Sequence, residues 1–340
     1  MTVDDALLVN AGSTSVKLTR LINGREAPVP DDLAAALADR AEPEVVVHRI
    51  VHGGRRAGAT IIDDAVLAEL RELTDLAPLH QSHALDIVEQ CRHRWPDAPQ
   101  VACFDTTFHT TMPAAARTYA LPARLRDKVQ VYGFHGLSHA WSAGRVAEAA
   151  PTAGRVLVAH LGGGQSLCGV LDGRSVVTTM GFTPLDGLVM ATRSGTIDPG
   201  ALLWLAQHTD EDLYTVLEKE SGLLGVAGTA DMAEVLARSD ENAELALAVW
   251  LHRFLRQAGG CVAVLGGLDA LVFTGGIGEH SSAIRAMVGE RLGWLGVTLT
   301  DHDATTDDVI EISGSDATVR TFVVHAREDL QMLREARDLL

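Results

Sequence analysis

At 340 residues, 47% hydrophobic and 21% charged, the chain is larger than one hydrophobic core usually supports and reads as a folded protein of about two domains. Forty-five acidic residues against 28 basic ones give a formal charge of −17, which repels phosphate backbones and anionic bilayers and argues against nucleic-acid and membrane partners. No apolar run approaches the roughly 20 residues of a membrane span. The opening MTVDDALLVNAG carries acids where a secretory leader carries bases, and Cys91, Cys103, Cys168 and Cys261 show no metal-ligand spacing. A cytoplasmic protein with buried, reduced thiols is the expectation.

In chain order, the first expected strand is Leu7–Asn10, which opens a hairpin LVNAGSTSVKL over residues 8–18 with a Gly/Ser tip. A strand at His48 runs into Gly53-Gly54, and helices are expected at Asp63–Leu76 and His83–His93, followed by a strand at Val101–Phe104. A helix at Ser138–Ala149 precedes strands at Val156–His160, Ser166–Leu171 and Ser175–Thr179. Here VAHLGGGQSLC, over 158–168, repeats the strand, Gly/Ser turn, strand pattern of the N-terminus about half a chain later. Helices at Ala201–His208 and Ala243–Leu265, a strand at Leu271–Thr274, a Gly-rich turn at Thr274–Glu279, a helix at Ser281–Leu292, a strand at Val319–Val324 and a helix at Glu328–Leu340 complete the chain. Strand and helix in alternation specify an α/β fold. Two similar hairpins, each opening one half, suggest two domains of related topology, although two unrelated β-turns would give the same pattern.

The glycine turns direct attention to anions, because unobstructed backbone N–H groups bind phosphate oxygens. No P-loop sequence occurs, and Gly276-Ile-Gly278 matches a dinucleotide fingerprint only in part, since position 281 is Ser. Three Gly/Ser turns are better explained by a polyphosphate held from several sides. Arginines on turn-rich segments, Arg49 in HRIVHGG and Arg193 in the long loop Met180–Pro199, offer a guanidinium fork suited to carboxylate and phosphoryl oxygens. The paired histidines of HRIVHGG and YGFHGLSH lack metal spacing and read as structural.

Together these motifs resemble the acetate and propionate kinases. The resemblance runs from Asn10–Lys17 through His48–Gly54, Ala77–His80, Phe104–Pro113, Tyr132–His139, His160–Ser166, Met180–Pro199, Ser221–Gly225 and Phe273–Glu279, in family order over nearly the whole chain. It implies a two-domain fold of the sugar kinase, Hsp70 and actin superfamily, ribonuclease H-like, with a nucleotide cleft between duplicated α/β domains. The domains would be 1–107 plus 328–340, and 108–327, the latter carrying most of the nucleotide site. The implied reaction is reversible phosphoryl transfer from ATP to acetate, with Mg2+ (or Mn2+), in a cytoplasmic homodimer.

By the same resemblance Asn10 and Glu328 hold the metal, and Ser13, Ser15 and Lys17 face the phosphates. Arg49 holds the acyl carboxylate, Arg193 and His135 stabilise the transferring group, and Asp105 is catalytic. His160, Leu161, Gly162, Gly163 and Gly164, then Asp231, Met232 and Ala233, then Gly275, Gly276, Ile277, Gly278 and Glu279 form the nucleotide site. Val51, Leu79, Phe134 and Pro184 form a small apolar pocket for the acyl methyl group. A carboxylate substrate is already ionised at neutral pH, so Asp105 is expected to orient an arginine, a water or the metal rather than to act as a base. The chain departs from the family at Gly163, where Asn is usual, at Ala233, where Arg is usual, and at Ala326-Arg-Glu-Asp329; it is also shorter between Lys17 and His48. These departures fall at the nucleotide end. They leave open the donor, with pyrophosphate or another nucleoside triphosphate as alternatives to ATP; the sequence separately leaves open propionate or butyrate as acceptor and a non-catalytic relative that binds nucleotide or acyl phosphate.

Overall fold

The structure, a computed structural model, describes residues 3–12, 16–30, 32–38, 42–300 and 308–340, except the side chains of 78–80. The chain divides into two compact units, Met1–Thr110 with Phe134–Trp141 and Arg327–Leu340, and Thr111–Gly133 with Ser142–Ala326. The segment 134–141, which the sequence boundaries place in the second domain, belongs to the first unit. Leu137 is buried there with Val45, Val47, Val101 and Cys103, and the Gly136 N–H donates to the Asp105 carbonyl at 2.8 Å.

The first unit carries strands β1 (Asp5–Ala11), β2 (Val16–Ile22), β3 (Arg25–Ala27), β4 (Val45–Ile50), β5 (Thr60–Ile61) and β6 (Gln100–Phe104) in one sheet ordered β3-β2-β1-β4-β6-β5. The second carries β7 (Arg155–Leu161), β8 (Gln165–Leu171), β9 (Arg174–Thr178), β10 (Ala270–Thr274), β11 (Val309–Glu311) and β12 (Arg320–Val324), ordered β11-β12-β10-β7-β8-β9. Read from the other edge, the second order repeats the first strand for strand. In each sheet an antiparallel meander is followed by two parallel strands and a short antiparallel edge strand. The similar hairpins are therefore the same element in each unit.

The central strands of the first sheet are buried on both faces, which is why they read as unbroken apolar runs. Residues alternate between the two faces as a pleated strand requires. Leu7, Val9, Ala11, Val46, Ile50, Ala102 and Phe104 join one core with Ala84, Leu85, Ile87, Val88 and Cys91 of the helix Pro78–Arg94. Ala6, Leu8, Val45, Val47, Val101 and Cys103 join the other with Met332, Leu333 and Ala336 of the helix Glu328–Leu339. In the second unit the 25-residue helix Glu241–Leu265, the longest described, buries Ala243, Ala246, Trp250, Phe254, Ala258, Cys261 and Leu265 at helical spacing and packs against β8, β9 and β7.

Three expected elements differ. The helix expected from His83 begins at Pro78, a residue suited to the first helical position because it needs no N–H partner there. Asp63 caps a helix that stops at Glu72, ahead of a separate 3-10 turn at Thr74–Leu76. The turn expected at Thr274–Glu279 is a short helix, Gly275–His280. All four cysteines are buried and unpaired with one another. Among the described residues no helix is long and apolar enough to cross a membrane.

Candidate functional site

The alternation of the first sheet selects the side chains of its candidate site. Asn10, Arg49 and Asp105 follow residues of β1, β4 and β6 in the parity of Leu8, Val47 and Cys103, so they share the face covered by the helix Glu328–Leu339. They stand at or just beyond the carboxyl ends of three adjacent parallel strands, with Asn10 paired in register to Arg49. In open α/β sheets that end is where ligands bind.

Arg49 is the hub. Its Nε and Nη2 donate to the two Asp105 oxygens at 2.9 and 2.6 Å, a bidentate pair. Its Nη1 donates to Asn10 Oδ1 at 3.1 Å and lies 3.7 Å from Glu328, whose carboxylate accepts from Asn10 Nδ2 at 2.9 Å. Burial disfavours the Arg49 charge, but Asp105 and Glu328 outweigh it and raise its pKa, so the guanidinium stays cationic. Burial pushes the Asp105 carboxyl up, the Arg49 guanidinium pulls it back, and Glu328 pushes it up again. The Arg49–Asp105 bonds hold the two as an ion pair.

His135 enters through the backbone, its N–H bonding to the Asp105 carboxylate. Its φ of +58° is left-handed, a conformation costing roughly 1–2 kcal/mol for a residue with a Cβ. The next residue must be glycine, because a Cβ at Gly136 would sit 2.2 Å from the Asp105 carbonyl oxygen. Close packing behind Asp105 thus fixes this turn. Phe134 and Val51 are buried in the same unit, Phe134 edge-on to His52 with centroids 5.7 Å apart. The Leu79 side chain, and all of Ser13 and Ser15, lie outside the described residues; Lys17 is exposed on β2.

In the second unit, Arg193 occupies the long loop and donates from Nε to Glu218 Oε1 at 2.7 Å. Its Nη1 makes only longer contacts, 3.4 Å to the Pro184 carbonyl and 3.8 Å to Met190 Sδ. Glu218 is a residue that sequence reasoning missed; nothing in LEKES distinguishes it from Glu220.

The two glycine turns of this unit meet. A Cβ on Gly275, at φ +77°, would lie 2.8 Å from the Leu161 carbonyl, and one on Gly162 would lie 3.9 Å from the Gly276 nitrogen. Gly163 and Gly276 face open space and present backbone there, while His160 Nε2 stands 3.8 Å from where a Gly162 Cβ would be. The Gly163 carbonyl also accepts the Ala191 N–H at 3.1 Å, joining this turn to the loop that carries Arg193.

Several side chains assigned to the nucleotide are spent elsewhere. Leu161 and Met232 are buried in the core and Ile277 packs against it, so these can offer a ligand only backbone. Asp231 caps the helix Met232–Ala237 by accepting from the Ala233 N–H at 2.8 Å. The Glu279 carboxylate is held by the Ala326 N–H at 3.0 Å and by His325. Ala233 is exposed, and His160, next to last in β7, pairs in register with Thr274.

The profile of the acetokinase family matches residues 31–334. A protein of Rhodopseudomonas palustris named acetate kinase is 46% identical over 299 residues, covering 85% of this chain and 75% of the relative. Among solved structures, an acetate kinase from Porphyromonas gingivalis superposes with a TM-score of 0.86 at 29% identity, with 99% of each chain covered. A propionate kinase from Francisella tularensis superposes with a TM-score of 0.88 at 31% identity, covering 99% of this chain and all of that one. The fold is thus the two-sheet, actin-like α/β class.

Proposed function

The chain belongs to the acetokinase family, and we propose that it transfers a phosphoryl group reversibly between ATP and a short-chain carboxylate, acetate first. It is a kinase of the acetate kinase type, acting on a small carboxylate and a nucleotide. The observation that carries the chemistry is the Arg49 cluster, a fixed guanidinium at the carboxyl end of the sheet. Phosphoryl transfer needs positioned cations and in-line geometry more than covalent help. In this reading Arg49 orients the acyl carboxylate, Asp105 and Asn10 hold Arg49 in place, and Arg193 neutralises charge on the transferring group. Asp105 abstracts no proton, because the acceptor is already an anion.

Magnesium fits the first-unit cluster by donor chemistry. Asp105, Glu328 and the Asn10 amide oxygen gather beside Arg49 as hard oxygen donors, the ligand type that magnesium takes. Among the described residues no group of three His, Cys, Asp or Glu is arranged for a metal, in keeping with an ion that takes one or two carboxylates and completes its shell with water and phosphate. Asn10 and Glu328 would hold it, and bound magnesium would offset charge on the phosphate oxygens.

Acyl hydroxamate formation tests the activity. Acetate and propionate should react with ATP and Mg2+, and butyrate should lag, since one methylene in an apolar site is worth about 1–3 kcal/mol. Absence of hydroxamate with every acid would overturn the reading. One observation favours a second donor. Gly163 faces open space and Ala233 is exposed, so neither position supplies the polar side chain that the family resemblance expects at the nucleotide end. Pyrophosphate outpacing every nucleotide in the same assay would move the donor assignment to it.

We place the protein in the cytoplasm, where its four buried thiols stay reduced, and as a homodimer. The support for a dimer is the helix Pro199–His208, PGALLWLAQH, which buries no side chain although most of it is apolar. Leu203 and Trp204 are 67% and 57% exposed, and the indole stacks on His208 at 4.2 Å. Apolar surface of this kind marks an interface. Trp204→Glu should convert a dimer to a monomer in sedimentation analysis while the circular dichroism spectrum is kept. A variant that sediments like the wild type would remove this helix from the interface.

A further inference from the structure

We infer that Glu218 is a positioning residue for Arg193, fixing the Nε edge of the guanidinium so that its Nη edge is presented to the transferring phosphoryl group. The inference rests on the proposed role of Arg193 and concerns what aims it. In the helix Leu213–Lys219, LYTVLEK, the one buried side chain is the acid, although Leu213, Val216 and Leu217 were available to be buried instead. A carboxylate at 7% exposure is costly unless it is paired. Its partner is Arg193, at 2.7 Å from Nε.

The backbone on both sides of the pair is pinned as well. Thr192 Oγ1 donates to the Glu218 carbonyl at 2.8 Å, the Ser194 N–H donates to the Leu217 carbonyl at 3.2 Å, and the Ser221 N–H donates to the Thr192 carbonyl at 2.9 Å. Gly222 lets the loop and the helix ends approach this closely. At φ +64° its Cβ would fall 2.2 Å from the Met190 carbonyl oxygen and 2.8 Å from that of Arg193. Main chain and side chain therefore converge on one residue. With Nε committed to Glu218, the Nη1 contacts at 3.4 and 3.8 Å are too long to compete with an anionic oxygen. The guanidinium is held at one edge and available at the other.

A double-mutant cycle reads this directly. Glu218→Ala should lower kcat by about 10–100-fold with little change in either KM, because misplacing a transition-state contact by about 1 Å can cost that much. In the Arg193→Ala background the same change should have almost no further effect on kcat, since nothing remains to be aimed. Glu218→Gln keeps an oxygen acceptor for Nε and should restore most of kcat; Glu218→Asp keeps the charge but withdraws it by one methylene and should not. The Asp and Gln variants also report should the Ala variant fail to fold. Equal kcat losses from Glu218→Ala in both backgrounds, or Asp matching wild type while Gln does not, would overturn the positioning role. If Arg193→Ala alone leaves kcat unchanged, the role of Arg193 fails instead.

Discussion

Arg193→Ala lowers kcat by roughly two to four orders of magnitude with modest changes in KM, the expected signature of a contact that strengthens as charge develops on the transferring group. Arg49→Ala behaves differently and raises the KM for the carboxylate as well. The difference follows from how each guanidinium is used. All three Arg49 nitrogens are already engaged, two with Asp105 and one between Asn10 and Glu328, so its geometry is set before any ligand arrives. Such an arginine orients a ground-state carboxylate. Arg193 is bound firmly at Nε alone, leaving its terminal nitrogens for an oxyanion. Arg49→Ala also strands a buried Asp105 carboxylate, and breaking a buried pair costs about 3–5 kcal/mol. A lowered melting temperature should accompany its kinetic defect. Initial-rate kinetics with both substrates varied decides the matter, and equal, KM-only effects for the two variants would exclude the assignment of roles.

A carboxylate behind each arginine is the shared device, and the two were unequally legible in the sequence. Asp105 stands directly after the strand Gln100–Phe104, in a motif that the sequence itself singles out. Glu218 sits on a short helix of mixed character, 25 residues from its partner. No periodicity links it to Arg193, because the contact depends on the path of an irregular loop. The duplicated sheets were legible for the first reason, since each hairpin and each buried parallel strand has a local signature. The fate of Glu279 and Met232 was not. A motif records that residues occur together but not which of them the core or a neighbouring loop consumes, as Met232 is buried in the core and Glu279 is tied to His325 and Ala326. The same limit applied to segment 134–141, whose membership of the first unit is decided by Leu137 and Gly136 rather than by its place in the chain.

The first unit should lose stability steeply between pH 6 and pH 5. His48, His52 and His109 are buried, and burial lowers each pKa from 6.5 to about 4, partly opposed in His48 by Gln100 and in His109 by the Phe134 carbonyl. These imidazoles fold as neutral bases. Their contribution is complete above pH 6.5 and is lost as the pH falls towards 4, because the unfolded chain takes up protons that the folded one refuses. Glu335 works in the opposite sense. Burial first, then neighbouring acids, raise its carboxyl to about 7, against bonds from Gln331 and Cys103 that lower it, so its contribution is present at low pH and lost as the pH rises through 7. Asp105, pushed up by burial and pulled back by Arg49, works in the same sense as Glu335. Three protons favouring the unfolded chain against one favouring the folded chain leave a net of nearly two. At 1.36 kcal/mol per proton and pH unit, stability should fall by about 2–3 kcal/mol per pH unit. That is a large part of the roughly 5–15 kcal/mol that holds a typical fold. Urea unfolding followed by circular dichroism at closely spaced pH values gives the slope. His52→Asn should make it shallower by about 1 kcal/mol per pH unit and Glu335→Gln should make it steeper by a similar amount. A flat profile, or a shallower slope in Glu335→Gln, would show that these groups do not carry the titration.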